Sequence, residues 1–247
     1  MRSMNTTIAL LAALGAAGMA QADDHPSIKR PFNLPPPAEL VYSVKANSHG
    51  IPLAGNGTIT WRHGDGKYTL LTEARSGIFG KVLDYRSEGG IDGYGLAPDT
   101  YYEKRIRKGA GTTTFKRDDK TIDFADNEKS VPLKGGEQDR SSAPWQLAAI
   151  ARGAPDKFTP GSEWAMYVAG RRSAETWTFK VVGTETVQTG QGDVKAVHFT
   201  KSPPKSHQGQ QVDLWLAPGL EWYPVRLVFT EDDGDSFEQL LDKVNKK

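Results

Sequence analysis

The sequence predicts a mainly β protein built on a curved antiparallel sheet, with one α-helix near the middle of the chain. Three observations indicate this fold. Apolar residues recur at every second position, turns rich in Gly and Asp separate these runs, and one segment alone has helical spacing. We count about a dozen such runs, and alternation of this kind places the apolar side chains on one face of each strand.

Aromatic and β-branched residues dominate the alternating runs, as is typical of strands. These runs include Leu40-Tyr42-Val44, Ile59-Trp61, Tyr68-Leu70, Trp177-Phe179-Val181, Val212-Leu214-Leu216 and Tyr223-Val225-Leu227-Phe229. Gly64-Asp65-Gly66 and Asp233-Gly234 are hairpin turns, because Gly adopts positive φ without steric cost. A last segment, Phe237–Val244, fits either a helix or a strand, and we favour the strand.

The central helix is predicted over residues 142–152, from Ser142 to Arg152. Ser141 or Ser142 is the expected N-cap, Pro144 lies in the first turn, and Gly153 follows as the residue after the helix. A sheet as long as this one must close on itself or cover its edges. We therefore predict an open or spiral β-barrel, made either of one continuous sheet or of two similar half-barrel lobes.

The N-terminus has the pattern of an exported precursor. Arg2 precedes the apolar stretch Ile8–Gly18, and Ala20-Gln21-Ala22 matches the small-residue motif that signal peptidase cleaves. The alternative is an uncleaved anchor, but the stretch is about half the length of a spanning helix. We predict a signal peptide over residues 1–22, a mature chain without an integral membrane segment, and a periplasmic location.

Residues 23–38 contain five prolines and are predicted to form an extended lead, since proline restricts itself and the preceding residue to extended conformations. Residues 39–247 then form a single β-rich domain. Leu96-Ala97-Pro98 and Leu216-Ala217-Pro218, each followed by an aromatic pair and an Arg, suggest an internal duplication over about 39–135 and 160–247, joined by helix 142–152. The alternative is that two Pro-containing turns are merely alike.

Composition and motifs argue against several classes of function. The chain has no Cys, and loss of residues 1–22 removes Arg2 but no acid, which leaves 30 basic and 30 acidic residues. A balanced charge does not favour nucleic-acid binding, and the basic cluster Lys104-Arg105-Arg107-Lys108 fits a solvated strand face. No nucleophile elbow and no metal-binding His spacing occurs, so we predict no catalytic residues, no metal site, no cofactor and no enzymatic activity.

Two short segments are candidates for contacts. Asp139 and Arg140 lie at the helix entrance, where they can pair with the sheet, or where Arg140 can bind an anionic ligand. Ile78 and Phe79, between Gly77 and Gly80, either fold back into the core or form an exposed apolar tip that contacts lipid or a partner.

Several of these segments together resemble the bacterial family catalogued as domain of unknown function 3108. They are Leu40-Tyr42-Val44, Asp139-Arg140 with Ser142 and Gln146-Leu147, Trp215-Leu216-Ala217-Pro218, and Pro224-Val225-Arg226. The resemblance extends from about Leu40 to the C-terminus. It implies an exported, β-rich protein without an assigned reaction, similar in outline to the open β-barrels of periplasmic lipoprotein carriers.

Two functional hypotheses follow. In the first, the concave sheet face binds an apolar or amphipathic envelope molecule such as a lipid, with Trp61, Tyr85, Trp177, Trp215 and Arg140 as ligand-binding residues. In the second, the protein is a structural or protein-interaction module that supports the cell envelope, with Asp139, Ile78 and Phe79 in structural or contact roles. An open cavity favours the first hypothesis, and a filled interior favours the second.

Overall fold

The computed structural model describes residues 25–48, 50–106, 108–201, 210–230 and 234–246. In these ranges, 15 strands form one curved sheet around one α-helix. The predicted mainly β fold with a central helix is confirmed. No helix in the described ranges is long and apolar enough to cross a membrane.

The first half of the sheet consists of β1 (Ala38–Ser48), β2 (Ile51–Gly64), β3 (Lys67–Ser76), β4 (Gly80–Asp92), β5 (Gly95–Arg105), β6 (Lys108–Lys116), β7 (Thr121–Phe124) and β8 (Asn127–Pro132). The second half consists of β9 (Gln138–Asp139), β10 (Glu163–Ala169), β11 (Ala174–Thr189), β12 (Gly192–Lys201), β13 (Gln211–Ala217), β14 (Tyr223–Thr230) and β15 (Ser236–Lys246). The helix α1 (Ser142–Gly153) follows β9, and two 3-10 turns lie at Pro155–Lys157 and Pro218–Leu220.

The strand order is β8-β7-β6-β5-β4-β3-β2-β1-β15-β14-β13-β12-β11-β10-β9. Two antiparallel meanders therefore meet where the first strand pairs with the last, for example with Val44 opposite Gln239. Only β9 and β10 run parallel among the described strands. Bulges at Val41/Tyr42 and at Trp215/Leu216 interrupt the ladders, and bulges of this kind increase local bend and twist.

The two edges of the sheet approach each other without a strand ladder. The Thr113 side chain donates a 2.9 Å hydrogen bond to the Gly170 carbonyl, and Arg171 forms an ion pair with Asp126 at 2.9 Å across the seam. Tyr101, Phe115 and other apolar residues of the first half pack with Ala169 of the second half. The result is an open β-barrel, as predicted, with a seam closed by side chains.

The described turns agree with the sequence pattern. Asp65 and Gly66 have φ of 50° and 71°, the positive values that a tight hairpin requires. Phe237–Val244 lies within the strand β15, which confirms the strand prediction. The second predicted turn includes Asp233, which lies outside the described residues. The predicted signal peptide also lies outside them.

The helix lies inside the barrel and is buried on every side. Each residue from Ser142 to Ala151 is buried, as in a helix surrounded by protein rather than one resting on a surface. The helix extends to Gly153, one residue beyond the prediction, so Gly153 ends the helix and does not follow it.

Ser141 is the N-cap residue, as one of the two predicted alternatives, but its side chain makes no capping hydrogen bond. The carboxylate of Asp139 instead accepts hydrogen bonds of 2.8 Å from the N–H groups of Ser141 and Ser142. The Ser142 hydroxyl accepts a hydrogen bond from the Asp139 N–H at 2.9 Å. Buried N–H groups at a helix start need such partners, and a carboxylate two or three residues away can supply them.

The Pro-rich lead is irregular over residues 25–37 but packs closely on the domain. Phe32 and Leu34 contact the two large apolar clusters on either side of the helix. Its backbone passes so close to Gly153 that a Cβ there would lie 2.7 Å from the Phe32 Cα. The lead thus covers the helix, whereas the sequence indicated a segment outside the core.

The two Leu-Ala-Pro segments occupy different structural positions. Leu96–Pro98 lies inside β5, whereas Leu216 and Ala217 end β13 and Pro218 begins a 3-10 turn. The duplication stays a prediction.

Candidate functional site

A cavity of about 340 Å³ opens on the concave face of the sheet, where β1–β4 face β13–β15. The entrance of α1 closes its inner end. This volume falls within the range of about 300–1,000 Å³ typical of small-molecule sites. We call this cavity the central groove.

Most of the groove wall is apolar. Tyr42 and Ile59 from the first half of the sheet face Leu214 and Leu227 from the second half, and all four side chains are buried. The period of two along each strand explains this wall, because Tyr42, Val44 and Ala46 are alternate residues of β1 and all line the groove. Trp145 of the helix completes the wall.

The polar residues of the groove wall include Tyr85, Arg105 and Arg140, together with the acidic residues Glu73 and Asp235. The Arg105 guanidinium lies 5.6 Å from the centre of the Tyr85 ring, and its Nε is 2.9 Å from a carboxylate oxygen of Glu103. Burial raises the pKa of Tyr85 well above its usual value, although the positive charge of Arg105 opposes this effect. Burial alone would lower the pKa of Arg105, but the neighbouring Tyr85 and Glu103 keep it above its usual value. Tyr85 is therefore a neutral phenol beside a permanent cation.

Arg140 has a different environment. Its guanidinium packs on the backbone of Gly170, where a Cβ would lie only 2.8 Å from the Arg140 Nε. Among the described residues it forms no ion pair or hydrogen bond, although it is half-buried. A half-buried guanidinium without an ion-pair partner can bind an anionic group of a ligand.

Asp139 holds the helix entrance, and therefore Arg140, against the sheet. One carboxylate oxygen caps the helix, and the other accepts a hydrogen bond from the Ser87 hydroxyl of β4 at 2.5 Å. Ser87 in turn contacts the Tyr68 hydroxyl at 2.8 Å. The chain of polar contacts thus joins β3, β4 and α1 beside the groove.

Tyr85 and Arg140, both identified from the sequence, line the groove, but Trp61, Trp177 and Trp215 do not. Trp61 is fully buried, stacks on Trp145 at 4.8 Å, and donates a 2.8 Å hydrogen bond to the Pro35 carbonyl. Its neighbours are the helix and the lead. Ligand binding by Trp61 stays a prediction that the geometry of the groove does not favour.

The other two indoles lie in the second half of the sheet. Trp177 is buried in an apolar cluster and donates a hydrogen bond of 2.8 Å to Glu175. Trp215 stacks on the His198 ring at 4.2 Å and donates to Glu185 at 3.0 Å. Protein carboxylates accept hydrogen bonds from both indole N–H groups, which favours structural roles, and ligand binding by the two residues stays a prediction.

Ile78 and Phe79 lie in the turn between β3 and β4, and their side chains are 81% and 50% exposed. The sequence allowed these two side chains either to fold back into the core or to form an exposed apolar tip, and in the structure they form the tip. Among the described residues, no group of three or more His, Asp or Glu side chains is placed to hold a metal ion.

Sequence reasoning missed Arg105 and Trp145. Arg105 was assigned to a solvated basic face, but Tyr101, Glu103 and Arg105 are alternate residues of β5, and the first two are buried on the inner face. The alternation along β5 could therefore have predicted that the Arg105 side chain lies on the inner face of the sheet. For Trp145 the sequence predicted only a position in the helix. It does not show which strands pack on each face of that helix, so it could not place Trp145 in the groove wall.

Fold and groove together define an open-barrel protein with a central, mostly apolar cavity whose wall includes two arginines. The chain belongs to the family described as protein of unknown function (DUF3108), whose model matches residues 41–242. This match confirms the resemblance noted in the sequence.

Solved structures give remote similarities. A Bacteroides fragilis protein with a YmcC-like fold is 11% identical, with a TM-score of 0.34, over 89% of this chain and 100% of that one. The Mycobacterium tuberculosis lipoprotein LppX is 9% identical, with a TM-score of 0.28, over 84% of this chain and 87% of that one. No curated protein matches the chain significantly.

Proposed function

We propose that this protein is a non-enzymatic periplasmic envelope protein that binds an acidic, lipid-like amphiphile in the central groove. One observation carries the proposal: an apolar groove of about 340 Å³ ends at Arg140, which has no ion-pair partner among the described residues. In this proposal the acyl part of the ligand lies along Tyr42, Ile59 and Leu227, and its acidic head group lies near Arg140 and Arg105.

The physical chemistry of the groove supports an amphiphile over a fully apolar ligand. Each methylene removed from water contributes about 0.8 kcal/mol, so the apolar wall favours a chain of several carbons. A carboxylate or phosphate hydrogen-bonded to a guanidinium gains a charge-assisted contact, which is stronger in a site that excludes water. A neutral alkane would leave the Arg140 guanidinium half-buried and unpaired.

The location rests on the pattern of the first 22 residues, which are predicted to be removed on export. An intact-mass measurement on periplasmic material tests it. The expected species begins at Asp23, and a species that retains residues 1–22 would contradict the proposed processing.

A large side chain introduced into the groove tests whether the groove binds the ligand. Ala46 of β1 lines the groove, whereas the side chain of its near neighbour Ala54 in β2 is exposed and does not. We expect the wild-type chain and Ala54→Phe to take up a fluorescent fatty acid saturably, and Ala46→Phe to lose most of this uptake. Circular dichroism should show that both variants are folded.

Two outcomes would overturn the proposal: an absence of saturable uptake by the wild-type chain, or equal uptake by Ala46→Phe and Ala54→Phe. Mass spectrometry of molecules that co-purify with the native protein would then identify the ligand class. An acidic amphiphile is expected, and recovery of a neutral ligand alone would contradict the role of Arg140.

A further inference from the structure

The described residues include six large apolar side chains that are exposed, and four of them lie at hairpin tips: Ile51, Ile78, Phe79 and Ile106. Ile51 begins β2 directly after the β1–β2 connection. Ile78 and Phe79 form the β3–β4 connection, and Ile106 follows the last residue of β5. We call these four residues the apolar tips.

The topology places the apolar tips at one end of the barrel. Successive strands of the first half are antiparallel, so the β1–β2, β3–β4 and β5–β6 connections share one end, and the β2–β3 and β4–β5 connections share the other. Neighbouring tips are two strands apart, which corresponds to about 10 Å. The tips therefore form a row along one rim of the barrel.

This rim is also the mouth of the central groove. Leu53, Val82 and Ile106 line the groove, and each is within three residues of one of these connections. Ile106 belongs to both the groove and the rim, since it is 51% exposed. The apolar surface is thus continuous from the groove wall to the tips.

Exposed cations flank the same row. Lys45, Arg75 and Lys104 lie near the ends of β1, β3 and β5, and all three are exposed. Exposed apolar side chains with cations beside them are typical of proteins that insert shallowly into a membrane with anionic lipids. A flat protein partner would instead need a contiguous face, whereas these side chains stand on separate hairpin tips.

We propose that the apolar tips dock the barrel on an anionic lipid bilayer, with Ile78 and Phe79 inserted among the lipids. Docking in this orientation places the mouth of the groove against the membrane. A ligand of the class proposed above would then pass between bilayer and groove with little exposure of its acyl chain to water. The docking itself rests on the tips alone and does not require the groove to be occupied.

Absence of Cys from the chain allows a direct test, because a single introduced Cys is the only labelling site. Ile78→Cys, Ile106→Cys and Val182→Cys, each carrying a polarity-sensitive fluorophore, are mixed with vesicles of phosphatidylethanolamine and phosphatidylglycerol. Val182 is the matched control, being 48% exposed but in the interior of β11. We expect a blue shift at positions 78 and 106 and no shift at position 182.

Co-sedimentation with the same vesicles supplies a second test on the unlabelled mature chain. Substitution of both tip residues, Ile78→Asp and Phe79→Asp, should lower vesicle partitioning by about tenfold or more, because two large apolar side chains lose their burial in lipid. Val182→Asp should partition as the wild type does. Both variants should keep the wild-type melting temperature, since the altered side chains are exposed.

The groove-filled Ala46→Phe chain separates this inference from the proposed function. It should still bind vesicles while failing to take up the fatty acid. Docking on a bilayer would be overturned by a wild-type chain that stays in the supernatant, by equal shifts at positions 78 and 182, or by unchanged partitioning of the tip variant.

Discussion

The Asp139 carboxylate accepts a hydrogen bond from the Ser87 hydroxyl at 2.5 Å, and this contact ties the start of the helix to β4. Asp139 is fully buried and forms no ion pair with a described residue, so only three hydrogen bonds, from the Ser87 hydroxyl and the N–H groups of Ser141 and Ser142, stabilise its charge. Burial raises the pKa of Asp139 to about 6, although those hydrogen bonds oppose the shift. We therefore expect the helix entrance beside the groove to respond to pH.

We expect Asp139 to make the folded state less stable as the pH rises. Its pKa is about 6 in the folded chain against a usual value of 3.8, so between these values the folded state binds more protons than the unfolded state. The free energy of unfolding should fall across this window and level off above about pH 6, with a total loss of roughly 3 kcal/mol from this residue. Urea unfolding at a series of pH values measures this slope.

Asp139→Asn is the matched variant. An amide oxygen can still cap the helix, and the amide NH₂ can donate to Ser87, but no charge is buried. We expect a flatter pH profile in Asp139→Asn, whereas Asp139→Ala should lose about 1–3 kcal/mol at neutral pH because the cap is removed. Identical pH slopes in the wild type and Asp139→Asn would exclude Asp139 as the titrating group.

Arg140 precedes the helix and Arg152 lies in its last turn, and the two side chains differ in their partners. Arg152 donates hydrogen bonds to Glu221 at 2.9 Å and to the Leu34 carbonyl at 3.1 Å, whereas Arg140 has no such partner among the described residues. Arg152→Ala should therefore lose about 1–2 kcal/mol of stability while fatty-acid uptake persists. Arg140→Ala should change stability by less than about 0.5 kcal/mol and weaken binding of the fatty acid.

Thermal melts and probe titrations of both variants, with the corresponding fatty alcohol as a neutral probe, distinguish the roles. Arg140→Ala should weaken binding of the acid more than of the alcohol. A large stability loss with unchanged binding would instead make Arg140 a structural residue. Unchanged stability with unchanged binding would leave it with neither role.

Trp61 joins the helix to the lead. Trp61→Phe removes the hydrogen bond to Pro35 and part of the stacking on Trp145, so we expect a loss of about 1–2 kcal/mol in the free energy of unfolding. Uptake of the fatty acid should be unchanged, since the indole does not line the groove. Equilibrium unfolding and a probe titration check this, and weakened uptake without a loss of stability would restore the sequence-based assignment of Trp61 to the ligand.

The sequence alone determined the local structure of this protein. Alternation with period two placed Ile59, Trp61, Tyr68 and Leu70 on one buried face, and the structure buries all four. The helix was also found from its spacing, beginning at Ser142 as predicted. These features depend on neighbours a few residues apart, for which side-chain periodicity and turn chemistry are sufficient.

Only the tertiary structure decided which buried side chains pack against each other and which line the groove. Trp61 and Tyr42 alternate in the same way along their strands, yet Trp61 packs under Trp145 and the lead, whereas Tyr42 lines the groove. Periodicity assigns a side chain to a face, but the curvature of the sheet and the position of the helix determine whether that face is covered. Those depend on contacts between residues far apart in sequence, such as Tyr42 with Pro224 and Trp61 with Pro35, which no local pattern encodes.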